Sequence, residues 1–256
     1  MAESLSLVLE KAQVLLKDGK YEEARDLLKE TLDQKPDDPL VYRLYGNTFA
    51  YTGFLGKARK IWSDALKKFP ENVDLLYNIG LAYYLLSDFY KAKIYWKRAL
   101  KHSPEDPEIY FNLGQLAKDE GNLNLAIKLW EKALSFNPEN VETMNNIGVA
   151  YSSKEMYGKA ASWFKKAVEK DPDYALGHFN LATALFERGE LEIAEKHAEK
   201  AATLDPTTHS EAVDELMKKI TLRKSQIKEE AAEINEEEHL EENEKKVKEV
   251  QLHEPG

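Results

Sequence analysis

"NIGLAYYLLSDFYKAKIYWKRALKHSPEDPE" occupies Asn78–Glu108, and "NLGQLAKDEGNLNLAIKLWEKALSFNPENVE" occupies Asn112–Glu142, thirty-four residues further on. Asn, a branched aliphatic, Gly, Ala, Trp, Ala-Leu and Pro return in register. With position 1 at Leu5 the interval holds along most of the chain. Position 32 is Pro36, Pro70, Pro104, Pro138, Pro172 and Pro206. Position 20 is Ala24, Ala58, Ala92, Ala126, Ala160 and Ala194. Position 8 is Ala12, Gly46, Gly80, Gly114, Gly148 and Ala182, and position 24 is Leu28, Trp62, Trp96, Trp130, Phe164 and Ala198. Self-similarity at a fixed period of this size is the mark of a repeat architecture.

Each unit reads as two helices. Leu76, Ile79, Gly80 and Tyr83 at positions 4, 7, 8 and 11 keep i, i+3, i+4, i+7 spacing, one face of a helix. A break follows at position 15: Gly19, Gly53, Ser87, Gly121, Glu155 and Gly189. Phe89, Ala92, Trp96 and Ala99 then form a second stripe, and the Pro at position 32 ends the unit because it cannot continue a helix. Small residues at positions 8 and 20 allow close approach of the two helices. Large residues at 24 fill the space between neighbouring units. One hairpin cannot bury both stripes, so the units must stack. The expected units are 5–38, 39–72, 73–106, 107–140, 141–174 and 175–208.

The pattern resembles the tetratricopeptide repeat family, whose units carry a large residue, Leu, Gly, Tyr, Ala, Phe, Ala and Pro at these positions. The resemblance covers residues 5–208. It implies an all-α fold: a right-handed α-solenoid of six helix-turn-helix repeats with a concave groove lined by the first helices. It also implies a protein-binding or peptide-binding role. The chain departs from the pattern at Glu155 and, in the end units, at Ala12 and Ala182. Atypical end units are expected where a stack needs caps.

The polar Asn can now be placed. Positions 2, 6, 9 and 13 lie about 180° from the core stripe of the first helix at ~100° per residue. Position 6 is Asn78, Asn112, Asn146 and Asn180 in units three to six. The row is therefore expected on the inner surface and exposed. An amide carries both a donor and an acceptor, as a peptide backbone does, so such a row can hold an extended segment whatever its side chains. Repeat domains of the family, such as that of the O-linked N-acetylglucosamine transferase, carry a similar ladder. The other role open to these Asn is to tie neighbouring helices together. Position 5 adds Arg43, Tyr77, Phe111, Asn145 and Phe179, and positions 12 and 13 add Tyr84, Phe186 and Tyr51. These aromatics either form side-chain pockets or pack between first helices.

Charge narrows the partner. The chain of 256 residues has 36 Lys+Arg against 46 Asp+Glu, a net −10. That balance is unlike a phosphate-binding surface, so no nucleic-acid partner is expected. At positions 2, 6, 9 and 13 the acids are Glu10, Asp74, Glu108, Asp119, Glu142 and Glu187, against Lys17 alone. An acidic trough favours neutral or basic segments. Co-chaperones of the family instead clamp an acidic chaperone tail. Arg43, Asn47 and Asn78 match the start of that clamp, but Glu108 and Asn112 stand where two bases are required. The clamp is incomplete.

Residues 209–256 hold 14 acids and 8 bases. The stretch 209–223 is expected to cap the last unit, and 224–256 to form an acidic, charge-rich helical or disordered tail. Ile220, Ile227 and Ile234 recur at seven-residue spacing, a short coiled-coil seam. No catalytic site, metal or cofactor is indicated. The six His show no ligand spacing, His178 replaces a core residue, and no Gly-rich phosphate loop is present. No apolar run reaches the length of a membrane span, so no direct membrane insertion is expected. Charges at Glu3, Glu10 and Lys11 interrupt the start where a secretion signal needs an apolar centre. Cytoplasmic location is expected. The absence of Cys also suits an envelope or periplasmic protein whose leader has been removed. The function expected is a non-enzymatic adaptor gripping an extended, non-acidic protein or peptide segment. The alternative is a homo-oligomeric assembly module using solenoid ends or the C-terminal helix.

Overall fold

The computed structural model describes the backbone of residues 4–34, 37–207 and 210–251, with side chains described as far as Asn235 except for Ser210. Pro36, His209, the side chain of His239, and His253 lie outside the described residues. Among the described residues there are thirteen α-helices and no strands. Two compact units divide the chain at Pro138/Glu139.

The first unit contains α1 (Leu5–Lys17), α2 (Tyr21–Asp33), α3 (Pro39–Tyr51), α4 (Leu55–Lys68), α5 (Val73–Leu85), α6 (Phe89–His102), α7 (Pro107–Asp119) and α8 (Leu123–Phe136). Each helix packs against the next, and α3 also touches α1 and α5. The second unit contains α9 (Val141–Ser152), α10 (Tyr157–Lys170), α11 (Ala175–Glu187), α12 (Leu191–Leu204) and α13 (Ser210–Gln251). Consecutive helices again pack together, α11 also touches α9, and α13 lies on α12 and α11. Helix pairs in tandem, first helix beside first helix, form the α-solenoid arrangement.

Local chemistry sets the boundaries. Ser4, Asp38, Asn72, Asp106 and Asn140 cap α1, α3, α5, α7 and α9, each side chain accepting a backbone N–H of the first turn. Position 15 ends α1, α3, α5, α7, α9 and α11 in the left-handed region. Gly supplies it at 19, 53, 121 and 189, while Ser87 and Glu155 adopt it with φ of 60° and 57°. In every case the next N–H reaches back five residues, as from Lys20 to the Leu15 carbonyl (2.8 Å) and from Met156 to that of Tyr151 (3.0 Å).

The core explains Gly at position 8. Trp62, Trp96 and Trp130 are buried, and each indole N–H donates to a carbonyl in the first helix of its own pair. The acceptors are Arg43 (3.1 Å), Tyr77 (3.2 Å) and Phe111 (3.1 Å). The ring lies flat on the glycine. A Cβ at Gly80 would stand 2.6 Å from Trp96 Cδ1, and one at Gly114 2.5 Å from that of Trp130. Trp at position 24 thus acts within its own helix pair as well as filling space between units. Phe164 repeats the packing over Gly148 without the hydrogen bond.

Candidate functional site

Position 6 lies in the second turn of the first helices, and within each unit it comes close to a side chain of the adjacent first helix. In the first unit Asn78 on α5 is half-buried, and its Nδ2 donates to Asn47 Oδ1 on α3 (3.2 Å). One turn earlier on the same helices, Arg43 Nε lies 3.4 Å from Asp74 Oδ2. The pair is off the hydrogen-bond direction, so the buried Nε has a counter-charge but no acceptor. Asn112 on α7, also half-buried, donates to the Tyr77 hydroxyl and to the Glu108 carbonyl, both at 2.9 Å. Further along, the Tyr84 hydroxyl donates to Asp119 Oδ2, and Gln115 approaches the other carboxylate oxygen at 3.5 Å. In the second unit Asn180 on α11 donates to the buried Asn145 on α9 (2.8 Å). Asn146 is half-buried and has no side-chain partner among the described residues.

The Asn row is therefore not exposed. Three of its four amides connect first helices, and the position-5 residues are part of the same connection. Tyr77 is packed against the core of the first unit and Phe179 against that of the second. Phe111 is half-buried and lends its carbonyl to Trp130. Burial, reinforced by the nearby Glu108, pushes the Tyr77 phenol far up. Burial and the contact with Asp119 push that of Tyr84 up to about 12. Neither hydroxyl ionises near neutral pH. The chemistry of this surface is amide and hydroxyl hydrogen bonding beside carboxylates. Glu10, Asp74, Glu108, Glu142 and Glu187 are all exposed.

The sequence reading offered tying of helices as the other role of the Asn but did not pair them with their partners. Tyr77–Asn112, Asn145–Asn180 and Tyr84–Asp119 are each 35 residues apart, one period plus one. That offset marks neighbouring positions on successive first helices and is the signal that finds them. A further polar pair joins α11 to α12. His178 Nε2 donates to the Pro172 carbonyl (3.1 Å), so its Nδ1 accepts from His197 Nδ1–H at 2.9 Å. The rings stack at 5.1 Å. Burial, then the adjacent His178, holds the His197 imidazole below its ordinary range. His178 is thus a packed histidine, as its core position implies. Among the described residues no cluster of three or more His, Cys, Asp or Glu is placed to hold a metal ion. Among them, too, no helix is long and apolar enough to cross a membrane.

The likeness to known proteins follows this geometry. Solved structures share the fold at low identity. A Pseudomonas aeruginosa pilF structure is 15% identical, with 85% of this chain and 96% of that one covered and a TM-score of 0.71. The Cut9–Hcn1 hetero-tetramer of the APC/C is 19% identical at a TM-score of 0.66, over 83% of this chain and 42% of that chain, so less than half of it is spanned. YrrB, described as a TPR protein with an unusual peptide-binding site, is 20% identical at a TM-score of 0.57, over 71% of this chain and 93% of that one. A search of curated protein sequences found no match. Sequence models of the tetratricopeptide repeat match residues 1–47, 73–106, 107–140, 141–174 and 163–196. Those matches take in the Gly–Trp pairs of α5 to α8 and the capping residues Ser4, Asp38, Asp106 and Asn140, and the chain belongs to the tetratricopeptide repeat family.

Proposed function

We propose that the chain is a non-enzymatic protein-interaction scaffold whose first-helix surfaces bind an extended, neutral or basic segment of a partner. Six repeats, a capping segment of α13 to about residue 223 and an acidic tail beyond it are the division this reading uses. The observation that carries it is the half-buried amides on the first helices within each unit, with exposed carboxylates beside them. Amides that are already oriented by a neighbour lose little freedom on meeting a ligand. Asn78 and Asn180 each keep one N–H and a carbonyl after their ties, and Asn146 keeps its whole amide. The similarity to YrrB, itself described as peptide-binding, supports the same reading.

The test is fluorescence anisotropy with extended peptide pools of basic, neutral and acidic composition. Basic and neutral pools should bind and the acidic pool should not. Asn146→Ala should weaken binding roughly 2- to 12-fold, the equivalent of one neutral hydrogen bond, with no change in melting temperature. Preferential binding of acidic peptides, or binding indifferent to Asn146→Ala, overturns the proposal.

A further inference from the structure

Position 21, on the second helix of each pair, carries a side chain that bridges to a neighbouring element or is buried in five of the six repeats. Arg25 donates to the Thr48 carbonyl and to the Thr52 hydroxyl, both at 3.1 Å. The Arg59 guanidinium lies 4.7 Å over the Tyr83 ring. Lys93 Nζ is 3.3 Å from Glu120 Oε2, Ile127 is buried, and Glu195 Oε2 is 2.6 Å from Lys224 Nζ on α13. In the fifth repeat the residue is Ala161, which has no atoms beyond Cβ to make that reach. The residues it would meet, one period on from those of the earlier repeats, are Leu185 and Arg188 in the places of Tyr83 and Glu120.

Where the long side chain is missing, a cleft of about 510 Å³ opens among α10, α11 and α12. That volume is in the range of small-molecule sites. Its floor is apolar: Val168, Leu181 and Leu185 are buried and line it. Its charges are paired with one another. Lys165 lies 3.8 Å from Glu169, and Arg188 2.7 Å from Glu190. The rim therefore presents no unbalanced charge, and a charged ligand would be desolvated over the floor without a counter-ion.

One polar atom is left over. His197 lines the cleft from α12. The Pro172 carbonyl takes the Nε2–H of His178, so His178 Nδ1 accepts and His197 Nδ1 must donate. A neutral imidazole that donates from Nδ1 keeps Nε2 as an acceptor. With Nδ1 turned to His178, Nε2 is the ring nitrogen left for the cleft, and it has no partner among the described residues. We infer that this cleft is a binding site for a neutral, largely apolar small molecule that donates one hydroxyl hydrogen to His197 Nε2, a phenol or an alcohol. None of its lining residues belongs to the amide surface of the proposed function, so the two sites stand or fall separately.

The experiment is an NMR titration of the full chain with para-ethylphenol and with its methyl ether, para-ethylanisole, which has the same body and no donor. The methyl signals of Leu181 and Leu185 report occupancy. The phenol should bind with a Kd of about 1 mM or tighter, roughly 2- to 12-fold more tightly than the ether, as one neutral hydrogen bond provides. In His197→Leu the two compounds should bind alike. Ala161→Ile places in the cleft the side chain that the fourth repeat carries at this position. It should weaken binding of both compounds roughly 10-fold or more while the thermal melt keeps or raises its midpoint. No binding of the phenol by about 5 mM overturns the inference. So does equal affinity for phenol and ether in the unsubstituted chain, or binding undiminished by Ala161→Ile.

Discussion

Asn112→Ala separates a structural tie from a ligand contact. Asn112 Nδ2 reaches the Tyr77 hydroxyl and the Glu108 carbonyl, each at 2.9 Å. The two bonds are not equal in consequence. The Glu108 carbonyl lies within the first turn of α7 and keeps its helical N–H donor, so its loss is small. The Tyr77 hydroxyl is half-buried between α5 and α7 and loses its amide neighbour. The net cost should be about 1–2 kcal/mol. For a chain of this size that is a fall of roughly 2–8 °C in melting temperature. The assay is circular dichroism melting, with Tyr77→Phe and the double mutant completing a cycle whose coupling should be about 0.5–1.5 kcal/mol. Asn146→Ala is the internal control and should stay within about 0.5 kcal/mol of wild type, as unpartnered surface-facing groups do. An Asn112→Ala protein as stable as wild type, or an Asn146→Ala protein equally destabilised, refutes the assignment of Asn112 as a tie.

Gly114→Ala should cost about 2–4 kcal/mol, because its Cβ meets Trp130 at 2.5 Å and moving the ring also strains the bond to the Phe111 carbonyl; a red-free check is the Trp fluorescence, which should shift as the indole loses its acceptor. Glu155→Gly should instead stabilise by about 0.5–1 kcal/mol in the same melts, since Glu155 holds φ of 57° where glycine is at ease. The His178–His197 pair should make stability fall with acid. The folded His197 value lies below the ordinary 6.5, so the unfolded chain binds more protons, and stability is complete above 6.5 and is lost as pH falls from there towards the lowered folded value. Melting temperature from pH 7.5 down to about 5 should show this slope, and His197→Leu should flatten it.

Much of the fold was legible because its causes are local. Period 34 located the helix starts, Gly19 and its counterparts located the stops, and Gly at 8 with Trp at 24 announced a close helix pair. What was not legible is depth. Periodicity gives the angle at which Asn78, Asn112 and Asn180 leave their helices, but not how near the next first helix stands. The neighbour stands within hydrogen-bond distance, so residues placed correctly on the inner side are half-buried and occupied. The partner of each was also hidden by chemistry. Tyr77 reads as an aromatic that packs or walls a pocket, yet its hydroxyl is what Asn112 meets. His197 gave no signal, because its role depends on the Pro172 carbonyl fixing which nitrogen of His178 is left to accept.

If the first helices bind a segment as proposed, the occupied amides change where selectivity would come from. An amide accepts any backbone alike, so Asn78, Asn146 and Asn180 can add affinity but cannot choose between sequences. Choice falls to the charges. Arg43 is the cation at the position-5 row, and it is already neutralised by Asp74 at 3.4 Å. An acidic ligand seeking Arg43 must displace Asp74, and it then meets exposed Glu108 on the next first helix. Each encounter sets like charges together, which costs more than a lost rim contact. A basic or neutral segment meets no such opposition. On the proposed function, the repulsive carboxylates, more than the attractive amides, would set the sign of the partner, and replacing Asp74 and Glu108 by Asn and Gln should relax discrimination against acidic peptides while leaving the neutral ones bound.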